Sequence, residues 1–88
     1  MITARQSRAA RALLGWTQET LADRARIALT ALKRLESANG LDVYETTRDE
    51  VRRALEAAGI VFLSTDKGQG VLLVDDRGNK PNSSDAAR

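Results

Sequence analysis

Cysteine and histidine are both absent from this 88-residue chain, and with them goes much of the chemistry a small protein can carry. There are no disulfides, no Cys/His zinc site, no thiol nucleophile and no imidazole to move protons near neutral pH. Proline occurs once, as Pro81, and aromatic residues three times, as Trp16, Tyr44 and Phe62. No apolar run approaches the ~20 residues of a membrane span, and the N-terminus lacks the apolar segment of a signal peptide, so a soluble cytoplasmic protein is expected. Adjacent carboxylates such as Asp49 and Glu50 point to different faces of a helix. The GQG at residues 68–70 lacks the lysine and helix of a phosphate loop. An enzyme is therefore not expected, and neither a metal nor another cofactor is implied.

A chain this short suffices for one small, marginally stable domain, which oligomerisation would help. The net charge of +2 says little, but its distribution says more. Residues 1–40 hold seven cations (Arg5, Arg8, Arg11, Arg24, Arg26, Lys33, Arg34) against three anions (Glu19, Asp23, Glu36), whereas the remainder holds seven against nine. A basic front half suits a nucleic-acid face, and a solvated helix surface is the plain alternative.

Local signals predict four helices. Thr3 with Gln6 forms a capping-box pattern for helix 1, which Gly15 stops, with Ala9, Ala10, Leu13 and Leu14 as its inward stripe. Thr17 caps helix 2, which runs to about Ala25, and helix 3 covers about 28–37. Leu21 and Ala22 face Ile27, Leu32 and Leu35 across a tight turn, leaving Leu29, Thr30, Lys33 and Arg34 on the outer face of helix 3. That face suits a DNA major groove. Thr47 with Glu50 is a second capping-box pattern, placing helix 4 near 48–58 with Val51, Ala54, Leu55 and Ala58 inward and Gly59 as its stop.

After Gly59 two short apolar runs, Ile60, Val61, Phe62, Leu63 and Val71, Leu72, Leu73, Val74, are separated by STDKGQG and read as a hairpin. Neither run alternates cleanly with polar residues, so both faces need cover. The hairpin either pairs with its twin in a dimer or packs under helix 4. Residues 75–88 are polar and turn-rich and read as a disordered tail.

Arg11 to Ala22, R-A-L-L-G-W-T-Q-E-T-L-A, followed by L-K-R-L-E at Leu32 to Glu36, resembles the helix-turn-helix family of Cro and phage-repressor type, also called the xenobiotic-response-element (XRE) family. The similarity runs from about Arg8 to Gly59. It implies a compact helical bundle, transcriptional regulation and a two-fold homodimer on an inverted-repeat operator of double-stranded DNA. By the same resemblance Gln18, beside the capping Thr17, contacts a backbone phosphate, as the positive end of a helix favours. Leu29, Thr30 and Arg34 fall where the family reads base edges, flanked by Ala28, Lys33 and Ser37. Arg11 and Glu36 occupy the positions of a structural ion pair. Trp16 is expected to pack on the corner between helices 1 and 2.

The chain departs from the family at three places. Arg26 stands where glycine is usual in the turn, Ala28 replaces a Ser or Thr cap, and residues 37–46 carry Asp42 and Glu45 with no cation. Amides of Asn39 and Gly40, or Arg48, would then supply the phosphate anchor. The expected architecture is a mainly α, four-helix Cro/repressor-like DNA-binding head over 1–59, a β-hairpin over 60–74 for dimer or partner contact, and the tail. The expected function is a DNA-binding repressor. The alternative is a protein-binding module (an antitoxin, antiactivator or co-repressor subunit) whose protein partner docks on the acidic rear half.

Overall fold

The computed structural model describes residues 2–37 and 43–74. Asn39 and Gly40, and the tail expected over 75–88, lie outside them. Among the described residues the chain forms α1 (Ala4–Leu14), α2 (Gln18–Ala25), α3 (Leu29–Leu35), α4 (Glu45–Ala57), β1 (Ile60–Thr65) and β2 (Gly68–Leu73). The protein is thus mainly helical with a short antiparallel hairpin at its C-terminal side.

The helix ends follow from side-chain chemistry. Thr3 Oγ1 accepts from Gln6 N at 3.2 Å and Gln6 Oε1 accepts from Thr3 N at 3.1 Å, so the capping box closes in both directions. Gly15 ends α1 in the left-handed region (φ 70°), and Trp16 N donates back to Arg11 O at 2.9 Å. The end of α2 repeats this closure, with Ile27 N donating to Ala22 O at 3.0 Å. There the left-handed residue is Arg26 (φ 60°, ψ 45°), the one non-glycine residue at positive φ among those described. This backbone costs a side-chain-bearing residue about 1 to 2 kcal/mol. Thr17 caps α2 by accepting from Thr20 N at 3.0 Å.

Two helices differ in extent from the local signals. α4 starts at Glu45 rather than 48, behind Tyr44, which makes no side-chain cap bond. Thr47 lies inside the first turn, and the half-buried Arg48 beside it donates to Ile2 O at 3.0 Å, a contact between residues far apart in sequence. α3 covers Leu29–Leu35 only, and Glu36 already leaves helical geometry.

The core joins Ala10 of α1, Leu21, Ala22 and Ala25 of α2, Leu32 and Leu35 of α3, and Val51 and Leu55 of α4, closed by Ile2 and Ile60. The inward stripe of α1 corrects the expectation. Ala9 and Leu13 are exposed, and the buried positions are Gln6, Ser7 and Ala10, with Leu14 partly covered. Two polar residues take the inner face because each finds a partner there, which removes the cost of burying them.

Gln6 is one of the two. Its Nε2 donates to Leu63 O at 3.1 Å and to Gly70 O at 3.0 Å, the carbonyls of a facing pair in the ladder. One amide thus grips both strands of the hairpin, while Thr3 Oγ1 donates to Gln69 Oε1 at 2.7 Å. The strands reach further into STDKGQG than its glycines suggest. Asp66 and Lys67 alone form the reversal, closed by Lys67 N donating to Thr65 Oγ1 at 3.1 Å. α1 packs on β2 and α4 on β1, so the hairpin does lie against helix 4, and against helix 1 as well. Its residues alternate after all. Ile60, Phe62, Val71 and Leu73 pack on the core, while Val61, Leu63 and Leu72 stand outward at 42%, 45% and 52% exposure.

Two stability measurements follow. Gln6→Ala removes half of the capping box and both bonds to the hairpin, with an expected cost of about 2 kcal/mol in urea unfolding; a change too small to resolve would refute the clasp. Arg26→Gly relieves the left-handed strain at some cost in unfolded-chain entropy and is expected to stabilise by about 0.5 to 1 kcal/mol.

Candidate nucleic-acid interface

α2 and α3 turn their apolar residues inward, and the three-residue connection at 26–28 is too short to cover the outside of α3. Ala28, Thr30, Lys33 and Arg34 are accordingly exposed. Leu29 is half-buried and packs against the core, which leaves only its outer edge for any ligand. Ser37, also half-buried, sits just past the end of the helix. Asn39 falls outside the described residues.

The exposed side chains of α3 look into two different depressions. One, of about 230 Å³, is lined by Thr17, Gln18 and Glu19 from the start of α2 and by Leu29 and Lys33 from α3. It brings together residues assigned separately from the sequence. The other, of about 470 Å³, runs along the opposite flank of α3 between Thr30, Ala31 and Arg34 and Val43, Tyr44 and Thr47 at the start of α4. The sequence pointed to none of the last three as part of a surface site, and to Thr47 only as a helix cap. Tyr44, 82% exposed, is one of only three aromatics in the chain, and its place just before a helix was the available signal.

The cations of the front half divide by role. Arg8 and Arg11 bind Glu36, and the Arg24 guanidinium lies over the Trp16 ring at 4.9 Å from its centroid. Trp16 therefore sits at the corner expected of it, as a platform for an arginine. Lys33 and Arg34 on α3 and Arg26 in the turn make no ion pair among the described residues. Glu19 in the first depression and Glu45 near the second temper this positive surface.

Behind α3 lies the polar centre of the head. The Glu36 carboxylate, 1% exposed, takes Arg11 Nη2 at 2.8 Å and Arg11 Nε at 3.0 Å. Ser7 Oγ donates to it at 2.6 Å and Gln18 Nε2 at 3.1 Å. Arg8 donates to the Glu36 carbonyl, and Arg11 Nη1 also reaches Trp16 O at 3.2 Å. Burial by itself would raise the pKa of this carboxyl. The hydrogen bonds from Arg11, Ser7 and Gln18 and the charge of Arg11 outweigh it and hold the group below its ordinary value. Gln18 thus uses one amide hydrogen inside the head while standing at the N-terminus of α2. Ser7 and Arg8 were missed as members of this centre, although Ser7 lies one helical turn from Arg11.

No protein-family model matches the chain, and no curated protein matches it.

Because the pKa of Glu36 is lower in the folded than in the unfolded chain, its stabilisation is present above the unfolded value of about 4.3 and is lost as pH falls through the folded value. Glu36→Gln is expected to unfold about 3 kcal/mol more easily at pH 7, with the gap to wild type shrinking in acid below the ordinary carboxyl value. A gap of constant size down to the acid limit of folding would contradict a charged Glu36.

Proposed function

We propose that this chain is a sequence-specific DNA-binding regulator, most simply a repressor in the cytoplasm, whose α2 and α3 act as a Cro/repressor-like helix-turn-helix. The observation that carries this reading is the outer face of α3. Thr30, Lys33 and Arg34 are exposed, uncovered by the rest of the described chain and held on a helix whose inner face is locked into the core. An α-helix with its side chains is about 10 to 12 Å across, which a major groove about 12 Å wide admits. Arg34 has the geometry to bond a guanine's O6 and N7 together, and the methyl of Thr30 suits a thymine methyl. Lys33 shares a depression with Thr17 and Gln18 and in this reading meets a phosphate. Gln18, oriented by Glu36, and the backbone N–H groups that open α2 complete that anchor.

The alternative, a protein partner docking on the acidic rear half, draws less from two of the four acids of α4. Asp49 pairs with Arg52 at 2.7 Å and with Arg53 at 3.4 Å, and Glu56 with Arg52 at 3.3 Å. These acids are compensated on their own helix.

Fluorescence anisotropy on DNA from upstream of the protein's own gene, against scrambled DNA at several salt concentrations, tests the reading. Specific binding exceeding non-specific binding by about 10³ or more is expected. Arg34→Ala should relax preference at one base position at a cost of about 1 to 3 kcal/mol, while Lys33→Ala should weaken all sequences alike and reduce the salt slope by about one. Negligible effects from both substitutions would move the interface off α3.

A further inference from the structure

We infer that the depression between α3 and the start of α4 is a binding site for a small aromatic carboxylate. The site rests on the geometry and chemistry of that groove alone, while its consequence for DNA rests on the reading of α3 given above.

Size and lining come first. At about 470 Å³ the depression lies within the range of about 300 to 1,000 Å³ in which small-molecule sites fall. An inorganic anion would leave most of it empty. Ala31 and Val43, both half-buried, give it an apolar wall, and Thr30 and Thr47 bring hydroxyl groups. Tyr44, 82% exposed, has most of its ring still to bury. Arg34 is the one charged residue among those that line the groove, and it makes no ion pair among the described residues. Glu45 follows Tyr44 but is not part of the lining.

The same lining selects the occupant. Arg34 repels a cation, and an uncharged apolar molecule would take water from the guanidinium without replacing its hydrogen bonds. A carboxylate replaces them, because its two oxygens accept two parallel N–H bonds from the planar fork. The rest of the ligand then lies on Ala31 and Val43 and against the Tyr44 ring, a setting for a flat aromatic body. The residues thus ask for one negative end and one apolar plane in the same molecule.

Occupation has a consequence for α3. Arg34 cannot hold a carboxylate and the O6 and N7 of a guanine together, so ligand and operator exclude one another and the ligand acts as an inducer.

Amide chemical shifts of the isotope-labelled full chain, titrated with cinnamate, test the site without DNA. A single ring with a carboxylate should bind with a dissociation constant on the order of 0.1 to 1 mM, and saturable shifts are expected at Ala31, Arg34, Tyr44 and Thr47. Cinnamamide, the uncharged isostere, should bind about tenfold more weakly, as should cinnamate to Arg34→Gln. Should Arg34→Gln fail to fold, Tyr44→Ala takes its place, with an expected weakening of about threefold. No saturable shifts, shifts gathered instead on Val61, Leu63 and Leu72 of the hairpin, or equal binding of acid and amide would each overturn the site. With an operator in hand, cinnamate at about ten times its dissociation constant should lower operator affinity about tenfold. Unchanged operator affinity would overturn the exclusion, whereas a chain that binds cinnamate and no DNA would keep the site and refute the DNA-binding reading.

Discussion

A single buried carboxylate organises the helical head. Glu36 leaves the end of α3, and its two oxygens gather Arg11 and Ser7 from α1 and Gln18 from the first residue of α2. Its carbonyl takes Arg8 as well. Three helices therefore meet on one residue, and the angle between α2 and α3 is tied to the position of α1. A buried charge is tolerated only when its partners replace water. Here the requirement acts as a specification, since any arrangement of the helices that displaces Ser7 or Gln18 strands the carboxylate.

The second polar contact works on the same principle at the other end of α1. Gln6 accepts from the backbone at its own N-cap and donates to both strands of the hairpin. A two-stranded ribbon is marginal by itself in water, and this one is secured by that amide and by the packing of Ile60, Phe62, Val71 and Leu73. α1 is thus the internal strut of the protein, with the hairpin on Gln6 and the head on Ser7, Arg8 and Arg11. The outer side of α3 and the outer side of the hairpin are left as separate surfaces, one basic and one apolar.

The sequence makes the starts and stops of α1 and α2 legible, because capping acts over three or four residues. Thr3 and Gln6, Gly15 and Thr17 all perform locally what their residue types suggest. It also marks the buried aliphatic residues Leu21, Leu32, Leu35, Val51 and Leu55, whose spacing repeats at the helical period. The family pattern pointed to Arg11 and Glu36, and the pair forms. The expectation that Ala9 and Leu13 face inward failed for a general reason. Apolar periodicity assumes that polar side chains avoid the core, and that assumption lapses where Gln6 and Ser7 find partners 29 or more positions away. α4 likewise begins three residues before the position that the Thr47 and Glu50 pattern marked, at Glu45.

The sequence by itself therefore determined which segments are helical, where the chain reverses and which aliphatic residues must leave water, since these depend on neighbours within a few residues. The tertiary structure decided the rest. It chose the buried face of α1, the length of the hairpin strands, and the division of the hairpin residues into a packed set and an exposed set. It also decided which cations beside α3 make no ion pair among the described residues. Each of these depends on whether a polar group meets a partner distant in sequence, and that meeting exists only once the helices are packed.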